Sequence, residues 1–123
     1  MIYIVDDDEA VRDSLRLLLI AMGFAVEDFA DADSFFARGA PHQGKCLILD
    51  VNLPGASGLE VLARLREEGS ALPVVMVSGA GDAAARRRAL ELGAAAFLDK
   101  PVAFDLLRGT LVRTLAPQAA ARA

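Results

Sequence analysis

The chain alternates short runs of apolar residues with longer segments in which apolar residues recur every three or four positions. The short runs predict β-strands, the longer periodicity predicts amphipathic helices, and their alternation is typical of βαβ units. Residues 2–5, 46–49 and 74–77 are unbroken apolar runs, as expected for strands covered on both faces. Residues 25–29, which carry charge in their middle, and the short Ala-rich run 96–99 are predicted to form the two edges of the sheet.

Five helices are predicted to connect and follow these strands. The first has apolar residues at Val11, Leu15, Leu18 and Met22 and ends at Gly23, and the second, within residues 33–38, has Phe35 and Phe36. The third begins at Ser57 and has Leu59, Leu62 and Leu65, and the fourth begins after Asp82 and has Ala85 and Ala89. The fifth has Phe104, Leu107 and Leu111 and ends before Pro117. With right-handed crossovers, this order favours a parallel five-stranded sheet of order 2-1-3-4-5. The expected fold is a single doubly wound (βα)5 α/β domain of the flavodoxin-like type, with its switch point between the first and third strands.

Composition narrows the functional classes. The 123 residues (13.0 kDa) suit one domain, and the net charge of -4 argues against binding to nucleic acid or to an anionic membrane. No apolar stretch approaches the roughly 20 residues of a membrane span, and the first apolar run is too short for a signal peptide. The single Cys46 lies in an apolar run and is expected to be buried, which fits a soluble protein of the reducing cytoplasm.

Four of the predicted strands end at residues suited to phosphoryl chemistry. Asp6 and Asp7 follow the first strand, Asp50 the third, Ser78 the fourth and Lys100 the fifth. Ligands of open α/β sheets bind beyond the carboxyl ends of the strands, where these groups would converge. Neighbouring carboxylates repel each other unless a cation lies between them, and Mg²⁺ prefers such oxygen ligands. The pattern therefore predicts a divalent cation beside a phosphoryl group, with Asp50 able to act as the nucleophile.

Ordinary structural roles are expected for some neighbouring residues. Asp8 is expected in the first turn of the first helix, where an acid interacts favourably with the helix dipole. Ser57 is better placed than Asp50 to cap the third helix. The Lys100–Pro101 bond can adopt the cis form, which would set the direction of the lysine.

The polar residues together resemble the receiver domain of two-component response regulators, which has the CheY-like fold. The positions that match in order and approximate spacing are Asp6-Asp7, Asp50 with Pro54 and Gly58, Ser78, and Lys100-Pro101. The resemblance covers nearly the whole chain and implies a receiver domain over residues 1–116, with 117–123 as an Ala-rich tail or the start of a linker. Segments 4–7, 11–15 and 23–26 are most similar to the FixJ-type branch, whose receivers usually precede a DNA-binding domain.

The resemblance implies a phosphoacceptor and a Mg²⁺ site. Asp50 would accept a phosphoryl group from a sensor histidine kinase or a phosphotransfer protein. Asp7, Asp50 and the backbone carbonyl of Asn52 would bind Mg²⁺ directly, and Asp6 would act mainly through water. Such a domain phosphorylates itself and loses the phosphate, but it is not a turnover enzyme.

A conformational switch is implied as well. Ser78 and Lys100 would each contact a phosphoryl oxygen, Ser78 would move towards the phosphate, and Phe97 would turn inward. The surface of the fourth helix, fifth strand and fifth helix would then change and control an output, expected to be transcription. A homodimer formed on phosphorylation is a further expectation, whereas direct binding of this domain to nucleic acid is not expected.

Three alternatives stay open at this point. A stand-alone receiver would act by protein contact, without a DNA-binding partner domain. A Mg²⁺-dependent phosphohydrolase that forms an aspartyl phosphate would need a second Asp two residues after Asp50, where this chain has Asn52. A flavin or nucleotide carrier would need Gly, Ser or Thr after the first strand, where residues 6–9 are all acidic.

Two features fall outside this pattern. Arg86-Arg87-Arg88 occupies the fourth helix, where the resembling family often has small or apolar residues at the first two positions. A solvated cationic face is favoured over a partner-binding patch, and the run puts in doubt any dimer like that of FixJ-type proteins. His42 lies in a predicted loop, and nothing in its surroundings indicates a phosphate carrier.

Overall fold

The computed structural model of the protein describes residues 1–39, 44–79 and 82–115. The strands in this part of the chain are β1 (Ile2–Val5), β2 (Val26–Phe29), β3 (Cys46–Asp50), β4 (Asn52–Leu53), β5 (Ala56–Ser57), β6 (Val74–Ser78) and β7 (Ala96–Asp99). The helices are α1 (Glu9–Ala21), α2 (Ala32–Ala37), α3 (Gly58–Glu67), α4 (Ala83–Glu91) and α5 (Phe104–Leu115). The predictions for His42 and for the tail from Pro117 lie outside the described residues.

Five of the strands form one parallel sheet in the order β2-β1-β3-β6-β7. Counted among the strands of this sheet alone, the order is 2-1-3-4-5, so the predicted doubly wound fold is confirmed. In the register, Asp50 pairs with Val77 and Ser78 pairs with Asp99. The carboxyl ends of β3, β6 and β7 therefore meet at the same edge of the sheet, as the site prediction requires.

A short hairpin follows β3, and the sequence does not predict it. A stiff turn is expected around Pro54, but the structure pairs β4 and β5 antiparallel, with Asn52 opposite Ser57. Gly55 lies at the bend with φ of +76°, a backbone conformation that glycine adopts without strain. Strands of two residues are too short to show the alternation from which strands are recognised.

The sheet separates two hydrophobic layers. One layer is covered by α1 and α5 and contains Leu15, Leu19, Leu107 and Leu111. The opposite layer is covered by α2, α3 and α4 and contains Phe35, Leu62, Leu65, Ala85 and Ala89. Every residue of β3 and of β6 is buried between these layers, which fixes the positions of the side chains that end the two strands.

The helix starts follow the predicted caps, with one correction. The side chains of Ser57 and Asp82 accept hydrogen bonds from backbone N–H groups in the first turns of α3 and α4, as predicted. Asp8 was expected inside the first turn of α1, but it precedes the helix as its N-cap. Its carboxylate accepts hydrogen bonds from the backbone of Ala10 and Val11, which a residue in the helix itself could not do as well.

The expectations for Cys46 and for membrane-spanning helices can be compared with the structure. Cys46 is fully buried on β3, as predicted, and burial raises the pKa of its thiol to about 12. The thiol is therefore a core group rather than a reactive one. Among the described residues, no helix has both the length and the apolar character to cross a bilayer.

Candidate functional site

Three carboxylates meet at the carboxyl ends of β1 and β3. One oxygen from each of Asp6, Asp7 and Asp50 lies within 4.8 Å of the others. Asp6 and Asp50 are buried, whereas Asp7 is exposed at the mouth of the site. The structure thus brings together the three acids that the sequence places at the switch point.

Close backbone packing holds Asp50 in place. Val51, the next residue, donates its N–H to Val77 O at 2.9 Å and accepts a hydrogen bond from Gly58 N at 2.7 Å. A Cβ atom at position 58 would collide with the carbonyl group of Asp50, so only glycine permits this approach. Asp50 Oδ1 also accepts a hydrogen bond of 3.3 Å from Asn52 N. The Asp50 carboxylate is therefore oriented by the loop that follows it.

Arg12 holds the loop that carries Asp6 and Asp7, a role that the sequence analysis missed. Its Nη1 donates a hydrogen bond of 2.8 Å to the backbone carbonyl of Asp6, and its Nε pairs with Asp28 Oδ2 at 3.2 Å. Asp6 Oδ1 accepts a further bond of 2.9 Å from Asp8 N. The spacing of Arg12 after the acids and the charge in β2 were visible in the sequence, but nothing there indicated that they pair.

Lys100 reaches into the site from the end of β7. Its Nζ lies 2.9 Å from Asp6 Oδ2 and 3.2 Å from Asp50 Oδ2. Its backbone N–H donates to Ser78 O at 2.8 Å, which continues the pairing of β6 with β7. The Lys100–Pro101 peptide bond is cis, the form that the sequence analysis considered possible. Lys100 therefore contacts two of the three acids of the site, Asp6 and Asp50.

The charged groups of the site shift one another's pKa values. Burial raises the pKa of the Asp50 carboxyl, and the nearby charge of Asp6 raises it further, against the opposing effect of Lys100. Burial lowers the pKa of the Lys100 ammonium, but the hydrogen bond to Asp6 and the two carboxylate charges outweigh it, so the net pKa is raised. One ammonium thus faces two buried carboxylates and neutralises only part of their charge.

The donor set fits a hard divalent cation such as Mg²⁺. Within the part of the chain that the structure describes, the Lys100 ammonium is the one donor group that contacts the buried Oδ2 of Asp6. Carboxylate oxygens at this separation match the ligands that Mg²⁺ uses in proteins, with water completing the shell. The exposed position of Asp7 leaves room for that water.

Ser78 and Phe97 lie beside the site on β6 and β7. Ser78 is buried, and its hydroxyl donates a hydrogen bond of 2.9 Å to Gly79 O. Phe97 is only 6% exposed and packs in the layer covered by α4, opposite Met76 in the register. The ring position is thus inward, while the movement of Ser78 and Phe97 on phosphorylation stays a prediction.

Comparisons with known sequences agree with the resemblance. The chain matches the family model of the response regulator receiver domain over residues 2–112. It is 42% identical over 100 residues to the transcriptional regulatory protein FixJ of Azorhizobium caulinodans, covering 81% of this chain and 47% of that protein. It is 39% identical over 120 residues to the response regulator protein TodT of Pseudomonas putida, covering 96% of this chain and 53% of that protein. The chain therefore spans about half the length of these curated relatives.

Solved structures with the same architecture lead to the same grouping. The response regulator StyR superimposes with a TM-score of 0.87 at 37% identity, over 98% of this chain and 61% of that one. A CheY-like receiver domain from Methanospirillum hungatei superimposes with a TM-score of 0.88 at 29% identity, over 97% of this chain and 95% of that one.

Proposed function

The chain belongs to the response regulator receiver domain family, and from this membership and the site geometry we propose that it is a phospho-accepting signalling domain. One observation carries the proposal. Asp50 ends a buried strand beside two further carboxylates, and the Lys100 ammonium lies 3.2 Å from its Oδ2. A nucleophile flanked by a cation site and an amine is suited to receive a phosphoryl group.

Asp50 is the proposed acceptor. A carboxylate oxygen attacks the phosphorus of a phosphohistidine on a sensor histidine kinase or a phosphotransfer protein. The new O–P bond forms as the N–P bond breaks, and the histidine leaves as an imidazole. Positioning and charge neutralisation carry such a transfer, and Asp50 is already held by the backbone bond from Asn52.

Two side chains are proposed to contact the arriving phosphoryl group. The Lys100 ammonium, now shared between Asp6 and Asp50, neutralises one phosphoryl oxygen. The Ser78 hydroxyl, which now donates to Gly79 O, turns to donate to a second oxygen. Turning Ser78 and repacking Phe97 would bias the surface formed by α4, β7 and α5, which is the proposed output surface.

Asp7, Asp50 and the backbone carbonyl of Asn52 are proposed to hold Mg²⁺, with Asp6 acting mainly through water. The bound cation supplies positive charge where phosphoryl oxygens approach the carboxylates. Asp6 accepts a hydrogen bond from Asp8 N with Oδ1 and contacts the Lys100 ammonium with Oδ2, so a water is proposed to link it to the cation.

The proposed activity is signalling rather than turnover. Asn52 stands where an aspartyl-phosphate hydrolase would have its acid-base Asp, so the chain lacks the group that would speed release of phosphate. Slow loss of phosphate by the domain itself is still expected. We propose a cytoplasmic setting and control of transcription as the output, since FixJ is named a transcriptional regulatory protein and this chain spans about half of it. A homodimer on phosphorylation is part of the same proposal.

Phosphorylation with a small-molecule donor tests the proposal. Purified protein is incubated with acetyl phosphate and Mg²⁺, and covalent phosphate is followed by intact-mass spectrometry. Wild type and Asp33→Asn, which removes an exposed acid of α2, should both gain one phosphoryl group. Asp50→Asn should gain none.

Unchanged labelling of Asp50→Asn would overturn the proposal, as would labelling that does not require Mg²⁺. Continuous release of inorganic phosphate from an added phosphomonoester would support a phosphohydrolase instead. Transfer from a phosphorylated histidine kinase, abolished by the same substitution, would extend the result to the physiological class of donor.

A further inference from the structure

The arginine run in α4 is not explained by the proposed function, and the structure separates its members. The guanidinium carbon of Arg86 lies 4.9 Å from the centroid of the Phe97 ring, and its Nη2 lies 3.9 Å from Asp99 Oδ2. Arg88 forms an exposed pair with Glu91 in its own helix. Of the three arginines, Arg86 is therefore the one placed over β7.

Phe97 occupies a position that links α4 to the phosphorylation site. It lies two residues before Asp99, which pairs with Ser78 in the register. The ring is buried against the core layer that α4 covers. The ring therefore lies under α4 and two register positions away from the pairing of Ser78 with Asp99.

The contact between α4 and β7 is built from small side chains. Ala85 and Ala89 are the buried residues of α4, and each offers a single methyl group to the layer that contains Phe97. Few dispersion contacts therefore hold the helix against the ring. Arg86 follows directly after Ala85 and covers the ring with its planar guanidinium, which adds an attraction that the alanines cannot supply.

We expect the ring contact of Arg86 to contribute more than its ion pair. The separation of 3.9 Å from Asp99 joins two side chains that are each about half exposed, and such pairs contribute little. A guanidinium within roughly 6 Å of a ring centroid is attracted by the ring quadrupole even at an exposed site. The effect of Arg86 is therefore expected through Phe97.

We propose that Arg86 is a positioning residue: its guanidinium holds the Phe97 ring inward and so sets the balance between two arrangements of the α4–β7 surface. The link to phosphorylation rests on the proposed function. Because a phosphoryl group on Asp50 is expected to favour the inward ring, Arg86 and phosphorylation favour the same arrangement. Removing Arg86 should then weaken the response to phosphorylation, at most by the factor by which it releases the ring.

The ring itself provides the first test. Protein labelled with 4-fluorophenylalanine is studied by ¹⁹F NMR without phosphodonor, and the Phe97 resonance is assigned from its loss in Phe97→Leu. In Arg86→Ala the resonance should move towards that of unfolded protein, corresponding to a two- to fivefold change in the ratio of inward to outward rings. Arg86→Lys should restore part of the shift, since an ammonium also attracts the ring.

Arg87→Ala is the matched control, because Arg87 is exposed on the same helix and carries the same charge. Its Phe97 resonance should coincide with that of wild type. Asp99→Asn separates the ion pair from the ring contact and should also leave the resonance in place. A Phe97 resonance that is unchanged in Arg86→Ala, or that moves equally in Arg87→Ala, would overturn the proposal.

The second test measures coupling to the phosphorylation site with beryllofluoride, a phosphoryl analogue, in the presence of Mg²⁺. The concentration for half-saturation should rise in Arg86→Ala, by at most the two- to fivefold change in the ring equilibrium, and stay unchanged in Arg87→Ala. In a Phe97→Leu background the same substitution should have no effect, since the two residues act as one unit. An equal rise in both backgrounds would overturn the coupling.

The two tests separate the inference from the proposed function. If wild type binds no beryllofluoride, the proposed function fails while the NMR result still decides whether Arg86 holds the ring. If wild type binds it and the ring responds to neither arginine substitution, the inference fails and the proposed function stands.

Discussion

The Lys100 ammonium lies 3.2 Å from a carboxylate oxygen of Asp50. Asp50 ends β3 and Lys100 follows β7, and β6 lies between these two strands in the sheet. The same ammonium is 2.9 Å from the fully buried Asp6 carboxylate. The pocket therefore keeps an excess of negative charge, which favours a divalent cation. It also has an amine that can exchange a carboxylate partner for a phosphoryl oxygen.

Replacing Lys100 should show how much the buried carboxylates destabilise the fold when no ammonium faces them. Lys100→Met removes the ammonium but keeps much of the side-chain length, and leaves Asp6 and Asp50 facing each other. We expect the free energy of unfolding, measured with urea in the presence of EDTA, to fall by about 1–3 kcal/mol at neutral pH. Mg²⁺ should restore part of that loss.

The matched control is Lys45→Met, which removes an exposed lysine from the amino end of β3. It should change the free energy of unfolding by less than about 0.5 kcal/mol. Equal effects of the two lysine substitutions would show that the contacts of Lys100 with the carboxylates do not stabilise the fold.

Asp7→Asn should separate cation binding from folding. Asp7 is exposed, so its replacement should change the free energy of unfolding without Mg²⁺ by less than about 0.5 kcal/mol. Affinity for Mg²⁺, followed by calorimetry, should fall about tenfold or more, since loss of an outer-shell partner alone has effects of that size. Asp13→Asn, which removes an exposed acid from α1, should leave the affinity intact. Equal loss in both variants would contradict the predicted site.

Asp50 should make stability depend on pH in a defined direction. Its pKa is raised in the folded chain, by burial first and by Asp6 next, above the ordinary value of 3.8. The folded state therefore binds this proton more tightly than the unfolded state does. Its contribution to the free energy of unfolding must fall as the pH rises from 3.8 through the folded pKa.

The difference in unfolding free energy between Asp50→Asn and wild type measures this contribution. In EDTA the variant should gain stability relative to wild type as the pH rises above about 4, until Asp50 is fully ionised in the folded wild type. Asp33→Asn, which removes an exposed acid, should not show that gain. A difference that is constant across this range would contradict the raised pKa of Asp50.

Replacing Gly58 should destabilise the protein, because a side chain at this position has no space beside the Asp50 carbonyl group. In Gly58→Ala the added methyl group would meet the Asp50 carbonyl carbon at 2.9 Å and its oxygen closer still, so α3 or the end of β3 must move. We expect a loss of about 1–3 kcal/mol in unfolding free energy and slower phosphorylation of Asp50 by acetyl phosphate. Gly109→Ala in α5 meets only the end of the Arg113 side chain and should stabilise the protein slightly. Normal phosphorylation of Gly58→Ala would show that Asp50 tolerates the displacement.

The sequence predicted the sheet and the acids well because both depend on local patterns. Buried parallel strands are unbroken apolar runs, and the residues that end them must share one edge of the sheet. Asp7, Asp50 and Lys100 could therefore be placed together before any contact was known. All three residues lie within the part of the chain, residues 2–112, that matches the family model.

Contacts between distant side chains could not be predicted in this way. The bond from Arg12 to the backbone of Asp6 and the position of Arg86 over Phe97 depend on rotamers and helix orientation, which no sequence period encodes. The hairpin of β4 and β5 was missed because each strand has two residues. The cap role of Asp8 was missed because acids suit both the N-cap and the first helical turn.

Arg66 should prove the main polar link between the ends of α3 and α4. Its guanidinium donates hydrogen bonds of 3.0–3.1 Å to four backbone carbonyls, those of Ser70, Leu72, Leu92 and Gly93. The last two follow α4, so Arg66 fixes the carboxyl end of that helix while Arg86 lies nearer its amino end. Without the guanidinium, these four carbonyls lose the hydrogen bonds that Arg66 donates.

Arg66→Ala should lower the free energy of unfolding by about 1.5–3 kcal/mol, the range for hydrogen bonds to a charged group. Arg66→Lys should recover only part, because an ammonium cannot reproduce the planar fork that reaches carbonyls on both sides. The control is Arg64→Ala, which removes an exposed arginine of the same helix that pairs with Glu68. Since the carboxyl end of α4 would be released, hydrogen exchange of the amides around Leu92 should speed up in Arg66→Ala alone. Equal exchange in both variants would mean that the alanines of α4, and not Arg66, hold this end of the helix.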